Sequence, residues 1–77
     1  MIQFTVETEK TLDGFNARVP AIRECESWAG NEDDAISNML ERLAFFVQRK
    51  PGFKYTLDVL RREDGRVFYT LIIKDGK

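Results

Sequence analysis

NEDDAISNMLERLAFFVQRK, residues 31–50, is the one stretch of this chain with a sustained helical period, and its reading decides the fold. At about 100° per residue, Ile36, Met39, Leu40, Leu43, Phe46 and Val47 fall in one stripe, the apolar face a helix turns toward a core. Asn31 is a good N-cap residue and Asp34 stands three positions on, in a box-like place. Glu32, Asp33 and Asp34 put negative charge at the positive end of the helix dipole. Arg49 and Lys50 suit the opposite end, and Pro51-Gly52 is the expected stop. Phe45 falls on the far side, among Asn38, Glu41, Gln48 and Arg49. There it is either covered by another part of the chain or used for association.

The segments on either side alternate like strands. Ile2 to Thr8 reads as a half-buried strand with Ile2, Phe4 and Val6 inward. A turn from Glu9 to Gly14 leads to a second strand carrying Phe15, Ala17 and Val19 on one face. Setting Val6 opposite Phe15 and Phe4 opposite Ala17 aligns the two apolar faces as a hairpin. Pro20 has no N–H to give and marks a strand end or an edge. Ile22 to Trp28 is a weaker third strand, expected to be short or at an edge. Its parity puts Ile22, Glu24, Glu26 and Trp28 on one side and Arg23, Cys25 and Ser27 on the other.

Beyond the helix, Tyr55–Arg62 and Arg66–Lys74 form a hairpin around Glu63-Asp64-Gly65. A two-residue Asp64-Gly65 loop would scatter apolar residues over both faces. A three-residue loop with Gly65 left-handed sets Arg62 opposite Arg66 instead. Tyr55, Leu57, Val59, Val67, Tyr69, Leu71 and Ile73 then share one face, and this register is the expected one. The other face keeps Leu60 and Phe68 opposed, with Ile72 nearby. A strand apolar on both faces ordinarily lies under cover on both sides. In a one-helix domain, a second molecule is a natural source of that cover.

Length and composition bound the rest. A chain of 77 residues is a single domain with a thin core, and domains of this size often gain stability by oligomerising. No apolar run reaches the roughly 20 residues of a membrane span and no signal-peptide pattern opens the chain, so a cytoplasmic location is expected. The one cysteine, Cys25, leaves no internal disulfide and no cysteine-rich metal site. The absence of histidine removes the commonest general base and metal ligand. Net charge is −1, with eight acids against three bases in residues 1–38 and five against nine in residues 39–77. A near-neutral total argues against general nucleic-acid binding, which depends on a clustered basic face.

No residue set names a reaction. Glu7, Asp13, Glu24, Glu26 and Asp58 could be offered as metal-binding carboxylates, but they carry no spacing signature and read as outward strand or turn residues. Glu32-Asp33-Asp34 lacks the alternating pattern of a calcium loop and reads as a helix start. Cys25 has no base near it in sequence. Arg61, Arg62 and Arg66 make a basic hairpin end, read as solvated surface before a dock for an acidic partner. Neither an enzyme site nor a cofactor is expected.

From Gly14 to Val47 the order of residues resembles the HicB-like antitoxin family. The residues that carry it are Gly14-Phe15-Asn16-Ala17-Arg18-Val19-Pro20-Ala21-Ile22, then Cys25, then a loop into Ala35, Asn38 and Glu41 on a helix. The chain departs from the family pattern at Arg23-Glu24, where Pro-Gly is usual, at Ala29 for a glycine, and at Arg42 for an alanine. Antitoxins of this type commonly continue into a DNA-binding segment, and none follows here, so a stand-alone member is expected. The resemblance implies a degraded RNase H-like fold without nuclease activity. It also implies dimers or larger homo-oligomers, and neutralisation of a small RNA-cleaving toxin by binding.

The expectation is therefore an α+β domain of order β-β-β-α-β-β, an antiparallel sheet with one helix packed on it, acting as a self-associating protein–protein interaction module. Phe45, Leu60, Phe68 and Ile72, with Arg61 and Arg62, are its candidate contact residues. The alternative function is nucleic-acid binding through the basic C-terminal hairpin.

Overall fold

The computed structural model describes residues 2–50 and 52–74. The elements are β1 (Ile2–Lys10), β2 (Phe15–Val19), β3 (Ile22–Ala29), α1 (Glu32–Phe46), β4 (Tyr55–Glu63) and β5 (Arg66–Ile73). This is the α+β order that the periodicities predict. The strands form one antiparallel sheet of five in the order β3-β2-β1-β5-β4. The passage through α1 carries the chain from one edge, β3, to the other, β4. β5 then returns to close against β1.

α1 packs on β3 and β2, whose inward residues Ala17, Cys25 and Ala29 are small. That floor admits a close approach, so the buried line of the helix is Ala35, Met39, Leu40, Leu43 and Ala44. Phe46, expected in the core stripe, is 41% exposed instead. The helix is rotated toward its small residues because the strands beneath it are narrow in side-chain height. Val6, Val19, Leu71 and Ile73 complete the core.

Asn31 caps the helix as expected. Its side-chain oxygen accepts from the Asp34 N–H at 2.8 Å, and its amide donates to the Asp34 carboxylate at 3.1 Å. The C-terminal end differs from expectation, since the helix stops at Phe46 and no basic residue lies in its last turn. Gln48 takes φ 57°, while its N–H reaches the Phe45 carbonyl and the Arg49 N–H reaches the Ala44 carbonyl at 2.9 Å. These two bonds are a Schellman cap, and they end the helix before Gly52. The anticipated stop at Pro51 lies outside the described residues. A left-handed glutamine carries a Cβ penalty that glycine avoids. Gln48→Gly is thus expected to raise stability by about 0.5–1 kcal/mol, read as a higher urea midpoint at unchanged slope.

Three registers depart from expectation. In the first hairpin Lys10 pairs with Phe15 and Thr8 with Ala17, four residues along β1 from the expected match. The slide is even, so the inward faces are kept. It arises because β1 runs on to Lys10 and a short turn closes with the Thr11 N–H on the Gly14 carbonyl at 2.8 Å. In the second, Val19 pairs with Ile22 but Arg18 pairs with Glu26, so β3 advances four residues while β2 advances one. That odd excess turns Ile22 to the same side as Cys25, against the simple parity. β3 lies at the edge, as expected, and is eight residues long.

The third correction is the β4–β5 hairpin. Glu63 pairs with Arg66 across a two-residue Asp64-Gly65 loop, with Gly65 at φ 75°. The apolar faces are not scattered, because a bulge between Val59 and Arg61 leaves Leu60 as an extra residue. Tyr55, Leu57 and Val59 accordingly face Ile73, Leu71 and Tyr69, the partners expected for them. Leu60 does not oppose Phe68, whose partner is Arg61.

Candidate interaction surface

The sheet is wider than its helix. Five strands spaced about 4.8 Å apart span roughly 19 Å, whereas one helix with its side chains is about 10–12 Å across. With α1 seated over β3 and β2, β4 is only partly covered. Leu57 packs against the core and Tyr55 borders a cleft with Ser37, Leu40 and Glu41 of α1, while the rest of the strand lies beyond the helix. Tyr55 is 43% exposed and Val59 is 48% exposed, although both point to the helix side of the sheet. Periodicity assigned these two residues to the core. The signal that exposes them is the mismatch between one helix and five strands. On the same side, α1 turns Phe45 outward at 80% exposure, its ring edge-on to Phe46 at 5.8 Å.

The candidate contact residues divide between two faces. Phe45 belongs to the helix layer. Phe68 and Ile72 pair with Glu7 and Gln3 on the opposite, bare face of the sheet, where both are half-buried. Arg61 joins them there, its guanidinium carbon 4.2 Å over the Phe68 ring centre, a cation–π contact that covers the ring from one side. Leu60, bulged out of β4, stands at the edge. Arg62 points to the helix side beside Val67, at a shallow cleft it shares with Thr8, Glu32 and Arg66.

Charge on the bare face is closely matched. Glu7 is buried and receives both Arg18 Nε and Arg18 Nη2 at 3.1 Å, with Arg66 Nε at 3.5 Å. Arg66 also reaches Glu9 at 3.6 Å, and Arg61 reaches Glu63 at 2.8 Å. The hydrogen bond to Glu7 raises the Arg18 pKa from its ordinary value against the opposing effect of burial. Two of the three hairpin arginines thus already have acidic partners, which leaves little free positive charge at the hairpin tip.

On the helix side, Glu32 ties the first turn of α1 to the sheet. One of its oxygens accepts from the Thr8 hydroxyl at 2.8 Å and from the Tyr69 hydroxyl at 2.9 Å. Burial first, and then the bond to Glu32, push the Tyr69 phenol above its ordinary value. The remaining carboxylates proposed as a metal set are dispersed, with Asp13 in a turn, Glu24 and Glu26 exposed on β3, and Asp58 exposed on β4. Among the described residues, no three acidic or cysteine side chains gather where they could share a metal ion.

Cys25 sits in the core with its sulfur 3.7 Å from the Met39 carbonyl, and burial pushes the thiol from 9.0 up to about 11. A group whose folded pKa is raised keeps its proton longer when folded. Its contribution is complete below about pH 9 and is lost as pH climbs toward about 11. Tyr69 acts in the same direction. Unfolding free energy should therefore fall through this alkaline window, and Cys25→Ala should flatten part of the slope in urea titrations taken at stepped pH.

No helix among the described residues is long and apolar enough to cross a membrane. No protein-family model, curated protein or solved structure matches the chain.

Proposed function

We propose that this chain is a non-enzymatic protein–protein interaction module that associates with itself and, in the manner of HicB-like antitoxins, neutralises a small RNA-cleaving partner by binding it. The observation that carries self-association is the unequal cover of the sheet. α1 shelters β3 and β2, while β4, half-buried only at Thr56 and Leu57, carries Tyr55, Val59 and Leu60 at the surface. The bulge at Leu60 and the charged residues after it blunt the far half of this edge, but the stretch from Tyr55 to Val59 keeps apolar side chains and outward backbone groups open to pairing. The antitoxin-like role is supported by the resemblance over Gly14 to Val47.

The alternative, nucleic-acid binding through the hairpin arginines, is weakened by the ion pairs that Arg61 and Arg66 make with Glu63, Glu7 and Glu9. Salt-sensitive RNA retention abolished by substitution of Arg61 and Arg62 would revive it.

Light scattering tests self-association. A mass above the 9.0 kDa of one chain supports it, and a monomer at every concentration overturns it. Co-expression with a ribonuclease encoded beside this chain tests the antitoxin role. Restored growth supports it, and no rescue from any neighbouring product removes it while leaving self-association standing.

A further inference from the structure

We infer that the free edge of β4 pairs antiparallel with β4 of a second copy, about a two-fold axis through Thr56, in a register fixed by Lys54 and Asp58. This deepens the self-association proposed above and rests on it.

The hydrogen-bonding side of the edge follows from the observed ladder. The Lys74 N–H donates to the Lys54 carbonyl at 2.9 Å, and Thr56 and Asp58 pair with Ile72 and Thr70. Along an antiparallel strand the direction of the peptide groups alternates. Lys54, Thr56 and Asp58 therefore spend their N–H and C=O groups on β5, while Tyr55, Leu57 and Val59 present theirs outward. β4 has no neighbour on that side among the described residues. The bulge at Leu60 and the arginines after it break the edge beyond Val59, so the regular part available for pairing is short.

Self-complementarity then selects the register. A two-fold centred on Asp58 would oppose two aspartates. One centred on Leu57 would leave Lys54 and Asp58 without charged partners. Centred on Thr56, the pairing sets Tyr55 opposite Leu57 through outward peptide groups, and Lys54 opposite Asp58 twice, in the non-hydrogen-bonded positions where side chains approach most closely.

Lys54 is exposed and can make such a pairing. It lines a cleft with Lys50, Lys74 and Phe53 in which no acidic residue takes part among the described residues. Neither Lys54 nor Asp58 makes an ion pair among the described residues. The axis stands normal to the sheet, so the two helices lie on the same side of a continuous sheet. The exposed Tyr55 and the half-buried Leu57 of each copy then cover one another.

Charge reversal tests the register. Lys54→Glu and Asp58→Lys each turn two opposite-charge pairs into like-charge pairs, and each is expected to weaken the dimer about thirtyfold. The double variant Lys54→Glu/Asp58→Lys restores opposite charges and should recover most of the affinity in sedimentation equilibrium. Circular dichroism on each variant checks that it is folded. Thr56→Cys places two thiols across the axis and should form an intermolecular disulfide under mild oxidation, with buried Cys25 uninvolved.

Single variants that dimerise like the unmodified chain, or a double variant no better than the singles, overturn the β4 pairing but leave self-association through another surface intact. An unmodified chain that stays monomeric overturns both.

Discussion

Leu43→Ala is expected to remove about 3 kcal/mol of stability and leave much of the chain unfolded at physiological temperature. Leu43 has no exposed surface and lies in the line of α1 residues that meets β3 and β2. Deleting its branched end takes away the transfer energy of three carbons and leaves a cavity. The neighbouring floor of Ala17, Cys25 and Ala29 has little side chain to move into such a gap. The whole margin of a domain this small is only about 3–5 kcal/mol, so one such cavity exhausts most of it. Phe46→Ala on the same helix is the matched control. Although larger, Phe46 is 41% exposed and should cost well under half as much. Urea titration followed by circular dichroism separates the two. Equal losses would mean that α1 is seated by its sequence-predicted stripe rather than by its small-residue line.

Gly14→Ala comes next, at about 2–3 kcal/mol. The cause is steric, because Gly14 is not among the positive-φ glycines. A Cβ placed there would lie 2.5 Å from Trp28 Cζ2, and closer still to the Ala29 carbonyl oxygen. The carbonyl belongs to the β2–β3 ladder, where Phe15 pairs with Ala29, and it cannot withdraw without opening the sheet edge. The Trp28 ring is held over the glycine by its N–H bond to the Thr11 hydroxyl at 3.2 Å. Relief by rotating the ring should therefore shift the tryptophan fluorescence as well as lower the unfolding midpoint. Gly30→Ala, with nothing within 4 Å of its added carbon, should leave both readings nearly unchanged.

Much of the fold is legible in the sequence because two periods are strong. The 3.6-residue pattern and the Asn31 cap place α1, and strict alternation finds β1, β2 and the last hairpin with the correct inward faces. What escapes are features set by single backbone events. The bulge at Leu60 and the extra residues before Glu26 each change parity in mid-strand, and no side-chain pattern announces where a strand gains a residue. The end of α1 falls earlier than Pro51-Gly52 suggests, because Gln48 adopts the left-handed conformation that glycine ordinarily supplies and no side-chain pattern marks it. Burial of Glu7 on the bare face follows from Arg18 and Arg66 arriving from two neighbouring strands, a convergence visible only once the strand order is known.

The interaction surface was legible in kind but not in place. Phe45 is exposed as its helical position requires, and Leu60 stands at the surface. Phe68 is covered in part by Arg61 instead of meeting Leu60. Tyr55 and Val59 looked like core residues by alternation, because alternation reports which face a residue takes and not whether anything lies over that face. The order β3-β2-β1-β5-β4 decides the matter, by putting β4 at the edge farthest from the strands the helix covers.

Amide hydrogen exchange on β4, measured against protein concentration, tests the central claim most directly. A second copy bound along this edge should slow exchange at Tyr55 and Leu57 as concentration rises, because their outward N–H groups gain carbonyl partners. The amides of Thr56 and Asp58, already bonded to β5, should change little at low occupancy. Protection at Tyr55 and Leu57 that stays constant while the mass of the particle doubles would contradict the account, and would move the contact surface away from β4.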